Sequence, residues 1–332
     1  MEFAFPLRGW SGRILDTGNQ VEFEVHQSVA GSTERRMMDQ ETMASFLSEA
    51  GTFPGFEKEI SGNIFRKFRT PIKPPLMMSI LNATPDSFFP GSRVDRKSVD
   101  RIDSILDSKP DIIDIGGEST RPASMEITPE EELSRILPIV EYVSGTSSVP
   151  ISIDTRHPAT ISGLLGFRFN MINDISGFSD PEMIRIASEN ELDCVVMHMR
   201  GSPQTMQNDT KYRDVVTEVC GFLSERSSLL VKSGISPSKI ILDPGIGFGK
   251  DYEGNMEIIR NAHCINLGFR TLFGTSRKTF IGKLTGKGVE DRLPGTIATS
   301  IFLMQKKVDI LRVHDLNENR DTVKAYASIL GP

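Results

Sequence analysis

The chain has little cysteine and no spacing of it that suggests chemistry. Cys194, Cys220 and Cys264 lie far apart, form no CxxC pair and leave an odd count. This excludes a disulfide framework or a cysteine-built zinc site and makes buried thiols the expectation. Long hydrophobic runs are also missing: nowhere do 18 apolar residues follow one another, which excludes a membrane-spanning helix. Positive charge is not in excess either, with 38 Lys and Arg against 44 Asp and Glu, a formal net charge of −6 and a pI of about 5.5. Nonspecific nucleic-acid binding is therefore not expected, and an anionic ligand would need positive charge gathered locally. The opening Met1-Glu2-Phe3-Ala4-Phe5-Pro6 lacks a basic segment followed by an apolar one, the pattern of a secretory leader, so the cytosol is the expected compartment. What is present is an ordinary globular composition, 38% hydrophobic and 25% charged over 332 residues. That length suits one large domain with an extension.

From Leu76 onward an apolar, β-rich run recurs eight times, at residues 76–83, 111–117, 149–155, 170–176, 192–199, 239–245, 271–276 and 309–315. Each run ends in polar residues or glycine, and helical periodicity fills the intervals. Before one such helix, Thr128-Pro129-Glu130-Glu131 supplies an N-cap, a proline at the first helical position and a capping-box glutamate. Leu133, Ile136, Leu137 and Val140 then make its apolar stripe. Similar stripes occupy 215–231, 256–262, 296–304 and 319–330. Eight strands alternating with about eight helices predict an α/β fold, a closed (β/α)₈ TIM barrel, over residues 71–332. Residues 1–70 fall outside the repeat and read as an N-terminal extension or small subdomain. Within it Val21-Glu22-Phe23-Glu24-Val25 alternates like a half-exposed strand, residues 41–49 suit a short helix, and Pro71-Ile72-Lys73-Pro74-Pro75 reads as a stiff linker.

Barrels of this kind keep their chemistry at the C-terminal strand tips. Those tips carry Asn82, Asp114, Glu118, Thr120, Arg121, Asp154, Asn173, Asp174, Met197, His198, Asp243, Ser276, Lys278, Arg312 and His314. Two separated carboxylates and an amide, Asp154, Asp243 and Asn173, suit a flat heterocycle with several N–H donors and one or two acceptors. The segment Asp243-Pro244-Gly245-Ile246-Gly247-Phe248-Gly249-Lys250 matches neither a Walker A loop nor GxGxxG. Its glycines instead let the backbone turn sharply and approach a ligand, with Phe248 as an apolar wall. Arg312 and His314, two apart on a strand, face one side and with Asn82 can hold a phosphate-type anion. Asn82 also offers an oxygen to Mg²⁺, which would arrive with a phosphorylated substrate because no carboxylate cage is evident. Taken singly, each residue has a plainer reading: a strand-end Asp commonly caps the next helix, and Glu118 suits a structural partner for a neighbouring loop.

At these residues the sequence resembles dihydropteroate synthase. The resemblance covers about residues 76–330 and rests on Asn82-Ala83-Thr84-Pro85-Asp86-Ser87-Phe88, Gly116-Gly117-Glu118-Ser119-Thr120-Arg121-Pro122, Ile153-Asp154-Thr155, Asn173-Asp174, Met197-His198-Met199, the 243–250 segment, Ser276-Arg277-Lys278 and Arg312-Val313-His314-Asp315. It implies an enzyme of folate synthesis that joins 6-hydroxymethyl-7,8-dihydropterin diphosphate to p-aminobenzoate, with Mg²⁺ and as a homodimer through the last barrel helices. It further implies a pterin seat of Asp154, Asn173, Met197, Asp243, Phe248, Lys278 and Arg312. Asn82, Thr120, Arg121, Arg312 and His314 would take the diphosphate, with Asn82 reaching the metal. Phe88, Pro122, Phe248, Ser276 and Lys278 would frame p-aminobenzoate, and Asp86, Arg121, Lys278, Arg312 and His314 would serve catalysis. The chain departs from the family where Ser-Asp-Gly-Gly usually follows the first-loop Phe, reading Phe89-Pro90-Gly91-Ser92, and where Ala123 replaces the Gly after Arg-Pro. Two other readings fit a pterin-binding barrel: a methyltetrahydrofolate:corrinoid methyltransferase and a noncatalytic pterin-binding protein.

Overall fold

A computed structural model describes residues 8–14, 21–26, 33–49, 51, 53–83, 96–119 and 126–331, with side chains of the strands before residue 39 left aside. Three antiparallel strands come first, β1 (Arg8–Ile14), β2 (Val21–His26) and β3 (Thr33–Met38), in the order β1-β2-β3. Two helices follow, α1 (Gln40–Glu49) and α2 (Glu57–Arg69). The remainder is a barrel of eight parallel strands: β4 (Leu76–Asn82), β5 (Ile112–Gly116), β6 (Ile151–Asp154), β7 (Met171–Asp174), β8 (Asp193–Met197), β9 (Ile240–Asp243), β10 (Arg270–Phe273) and β11 (Ile310–Val313). It closes in chain order, with β11 pairing back onto β4. The intervening helices are α3 (Arg96–Asp107), α4 (Pro129–Thr146), α5 (Pro158–Leu164), α6 (Pro181–Glu189), α7 (Val215–Lys232), α8 (Tyr252–Arg260), then α9 (Thr279–Thr285) and α10 (Leu293–Gln305) after β10, and α11 (Leu316–Leu330). The (β/α)₈ expectation is met. The strands are shorter than the apolar runs because the polar tips leave the hydrogen-bond ladder to form loops.

Local chemistry accounts for the helix starts. Thr128 Oγ1 accepts the Glu131 N–H at 3.2 Å, and Pro129 occupies the first helical position of α4. Asp180, Asp214 and Asp251 likewise accept N–H groups from the first turns of α6, α7 and α8, which satisfies donors that would otherwise lack partners.

Alternation along the strands divides the barrel into an outer and an inner core. Met77, Leu81, Ile113, Ile115, Ile153, Ile172, Val196 and Leu242 face the helices in one large apolar cluster. Met78, Ile112, Met171, Val195, Ile241, Leu272 and Ile310 fill the interior as a separate apolar layer. The polar strand tips lie above that layer.

The helix pair α1–α2 is fused to the opposite, lower end. Met43, Leu47, Phe53, Ile60, Ile64 and Phe65 belong to the same buried cluster as the outward faces of the barrel strands, and Phe53 meets Phe269 edge to face at 5.4 Å. Lys67 Nζ lies 2.5 Å from Asp309 Oδ2 and donates to Thr271 Oγ1 at 3.3 Å. That same Asp309 oxygen accepts the Thr271 N–H at 2.7 Å, so one carboxylate ties α2 to the feet of β10 and β11. Lys307 Nζ adds bonds to the Lys67 and Thr70 carbonyls at 3.1 and 2.8 Å. Removing the cation leaves a partly buried carboxylate with only the Thr271 donors. Lys67→Met is therefore expected to lower stability by about 1–3 kcal/mol, seen as a fall of the thermal unfolding midpoint, and an unchanged midpoint would show that this pair does not hold the lower end.

Candidate active site

The register of the ladder places the polar layer. Asn82 pairs with Gly116, Gly116 with Asp154 and Asp154 with Asn173, while Met197 pairs with Asp243. At the centre is Arg312, from β11, whose Nε donates to Asp114 Oδ2 at 2.6 Å and whose Nη2 donates to Asp154 Oδ2 at 2.7 Å. Asn173 Nδ2 donates to the same Asp114 oxygen at 3.2 Å. The other Asp114 oxygen is buried without a partner, an acceptor of the kind that a ligand N–H satisfies. Burial raises Asp154 to about 7 even against the attraction of Arg312, because a carboxylate loses more by leaving water than one shared guanidinium returns. Burial raises Asp243 as well, although its Oδ1 accepts the Gly245 N–H at 2.8 Å. With Met197 only 3% exposed beside this layer, the pocket offers carboxylates, an amide and a soft apolar surface.

The rim is cationic. Lys278, at the start of α9, donates its Nζ to the Ile246 carbonyl and lies 4.5 Å above the Phe248 ring. Burial lowers this amine to about 8, with Asp243 and Asp154 holding it up. His314 is exposed at the end of β11, its Nδ1 lies 3.1 Å from Ser276 Oγ, and its N–H donates to that oxygen at 3.2 Å. Arg312 and Lys278 thus gather positive charge locally in an acidic chain, with the His314 ring beside them.

A buried scaffold shapes the loop after β9. Gly245 (φ +66°) and Gly247 (φ +86°) are left-handed, and a Cβ on Gly245 would sit 2.0 Å from the His198 carbonyl oxygen. Glycine is required there on both counts. Lys250 Nζ, fully enclosed, reaches His198 Nδ1 at 2.9 Å and the Gly245 and Phe248 carbonyls at 3.0 and 2.9 Å, while Asn255 Oδ1 accepts the Gly247 N–H at 2.6 Å. The loop carrying Phe248 is thereby built around an internal amine.

The sequence-predicted residues Asp154, Asn173, Met197, Asp243, Phe248, Ser276, Lys278, Arg312, His314 and Asn82 all lie at the upper barrel mouth. Asp86, Phe88, Thr120, Arg121 and Pro122, with Pro90 and Ala123, lie outside the described residues. Three tip residues have other work. His198 points away from the barrel interior, edge-on to Phe222 of α7 at 5.0 Å, and burial drives it toward the neutral form. Asp174 caps its own loop, accepting from Ser176 N and Phe178 N. Glu118 takes a two-pronged bond from Arg156 at 3.1 Å for each contact, and the same guanidinium reaches Glu126 at 2.9 Å. Sequence reading gave no role to Asp114, the fully buried partner of Arg312. The available signal was its place between Ile112 and Gly116 on an inward face, where a lone carboxylate demands a cation.

Comparison with known proteins agrees with this geometry. A family model described as pterin binding enzyme matches residues 78–314. The dihydropteroate synthase of Escherichia coli strain K12 is 38% identical over 261 residues, 77% of this chain and 92% of that protein. The dihydropteroate synthase of Clostridium beijerinckii is also 38% identical, over 75% and 91%. Among solved structures, a Clostridium difficile dihydropteroate synthase determined in the presence of pteroic acid superposes with a TM-score of 0.71 at 35% identity, covering 78% of this chain and 97% of that one. The Thermus thermophilus dihydropteroate synthase in complex with 4-aminobenzoate gives 0.69 at 35% identity, over 78% and 96%. On barrel, site and sequence together, the chain belongs to the pterin-binding enzyme family, alongside the dihydropteroate synthases.

Proposed function

We propose that the chain is a dihydropteroate synthase, a transferase joining 6-hydroxymethyl-7,8-dihydropterin diphosphate to p-aminobenzoate with release of diphosphate. The observation that carries this is a single barrel mouth with two functions stacked in it: a buried carboxylate–amide layer below and a cationic rim above. Asp154, Asn173 and Asp243 accept or donate to the edge of a pterin, with the free oxygen of Asp114 beside them and Met197 against its face. Arg312 reaches from that layer toward the rim, where His314 also lies, so the two meet the diphosphate attached to the pterin's methylene carbon. As the bond to the leaving oxygen lengthens, the Arg312 charge and hydrogen bonding from His314 stabilise the departing anion, and the electron-rich dihydropterin delocalises the cation left behind. A neutral arylamine attacks without a strong general base. Phe248, Ser276 and Lys278 frame its approach.

Among the described residues no group of three or more His, Cys, Asp or Glu is placed to hold a metal. The one protein donor, the Asn82 amide oxygen, fits an ion whose other ligands are substrate oxygens and water. Magnesium, if held there by Asn82, would add to the neutralisation of the diphosphate that Arg312 provides. Asp86, Phe88, Thr120, Arg121 and Pro122, which lie outside the described residues, would take the diphosphate, arylamine and catalytic roles that the resemblance implies. No helix among the described residues is long and apolar enough to cross a membrane. The three cysteines are buried thiols, which fits a reducing cytoplasm. A homodimer through α10 and α11 is supported by the exposed Ile329 and Leu330 at the end of α11.

Incubation with the dihydropterin diphosphate, p-aminobenzoate and Mg²⁺ is expected to release diphosphate and dihydropteroate in equal amounts, whereas formation of neither would favour a noncatalytic pterin-binding protein. Lys278→Ala is expected to fold and to lose turnover by about 100-fold or more; near-wild-type turnover would remove Lys278 from the site. The pH dependence follows from the two shifted groups. Asp154 must be ionised to accept pterin N–H groups, so kcat/KM falls as pH drops through about 7. Lys278 must be charged, so kcat/KM falls again as pH rises through about 8. A flat profile from about pH 6 to 9 would contradict both assignments.

A further inference from the structure

Arg277 and Asp315 flank the proposed site residues without belonging to them. Arg277 lies between Ser276 and Lys278 in the loop after β10, and Asp315 follows His314 at the start of α11. Arg277 Nε donates to Asp315 Oδ2 at 2.8 Å and Nη2 to Oδ1 at 2.7 Å, a planar two-bond fork that fixes orientation as well as distance. Only 22% and 16% of the two side chains are exposed.

Three features mark this pair as more than a surface ion pair. First, Asp315 occupies the N-cap position of α11, yet its carboxylate caps no helix N–H. A stabilising helix cap is forgone, and both oxygens go to Arg277. Second, Arg277 has φ +55°, a left-handed backbone that is strained for a non-glycine residue. It is held from several sides: its N–H donates to Thr296 Oγ1 at 3.0 Å, its carbonyl accepts from Arg292 Nη1 at 3.0 Å, and its Nη1 donates to Glu290 Oε2 at 3.1 Å. Third, the fork joins the two loops whose other cross-link is the Ser276–His314 contact. The left-handed turn at Arg277 separates Ser276 from Lys278, and the fork sets where that turn sits relative to His314.

We infer that Arg277 and Asp315 are positioning residues that fix the spacing between the arylamine side of the site, Ser276 and Lys278, and its phosphate side, His314. This rests on the reading of those three as site residues. The deep layer depends instead on Arg312 with Asp114 and Asp154, so loosening the fork should disturb the joining of the two substrates and leave the pterin seat intact.

The test is Asp315→Asn, which keeps the shape and removes the charge, with Arg277→Lys, which keeps the charge and removes the fork. Steady-state kinetics, equilibrium binding of 6-hydroxymethylpterin without diphosphate, and thermal unfolding are measured on each. Expected are a fall in kcat of about 10- to 100-fold, a raised KM for p-aminobenzoate, pterin binding within twofold of wild type, and a smaller loss for Arg277→Lys than for an added Arg277→Gln variant measured in the same way. Unchanged kcat and arylamine KM, or pterin binding lost in step with the fold in both Asp315→Asn and Arg277→Lys, would overturn the inference. Lys278→Ala is run alongside: if that variant keeps full activity, the site assignment has failed, independently of the fork. Arg185→Ala, which removes an exposed ion-pairing side chain on α6, should leave kinetics unchanged.

Discussion

A guanidinium buried in a barrel that also buries three carboxylates sets the terms for everything above the apolar floor. Arg312 is shared between Asp114 and Asp154, and without it two acidic groups would face each other across low-dielectric space. The pairing is left incomplete by the geometry: one Asp114 oxygen has no partner, and Asp154 remains close to protonation. A ligand presenting several N–H groups supplies what the protein leaves out. The site therefore favours its ligand through an electrostatic deficit as much as through shape.

Rim and floor depend on each other through the loops. Lys250 is enclosed by carbonyls and His198, so the Gly-rich loop after β9 wraps an internal donor and presents Phe248 outward. Arg277 does similar work one loop further on, and Arg156 holds Glu118 and Glu126 together. In each case a basic side chain that touches no proposed substrate atom organises the loop around it. This explains why so many charged residues lie in one barrel end while only a few face the mouth.

The barrel was legible in the sequence because each strand is an apolar run cut off by polar residues, and because Thr128-Pro129 and its counterparts announce the helices. The inward position of Asp154, Asn173, Asp243 and Arg312 followed from alternation and from the habits of the fold. Less was legible before Leu76. Of the three early strands only β2 alternates, whereas β1, with Gly9 and Gly12, and β3, with adjacent charges, carry no such pattern. Helix α2 carries Ile60, Ile64 and Phe65 at helical spacing, but Ser61-Gly62-Asn63 between them has low helix propensity and masks the signal. The role of Asp114 was hidden for another reason. Its partner lies 198 residues away, and a pairing across a closed barrel has no local signature. His198 shows the converse, since its neighbours in sequence suggested a site and only the strand's alternation turned it outward.

The floor of Met78, Ile112, Met171, Val195, Ile241, Leu272 and Ile310 makes the pocket a blind alley. With α1 and α2 closing the far end, ligands enter and leave by one doorway. On the proposed reading, a molecule beside Lys278 would stand between the mouth and whatever seats itself against Asp154 and Asp243, so the deeper substrate would have to load first and the joined product would leave by the way both came in.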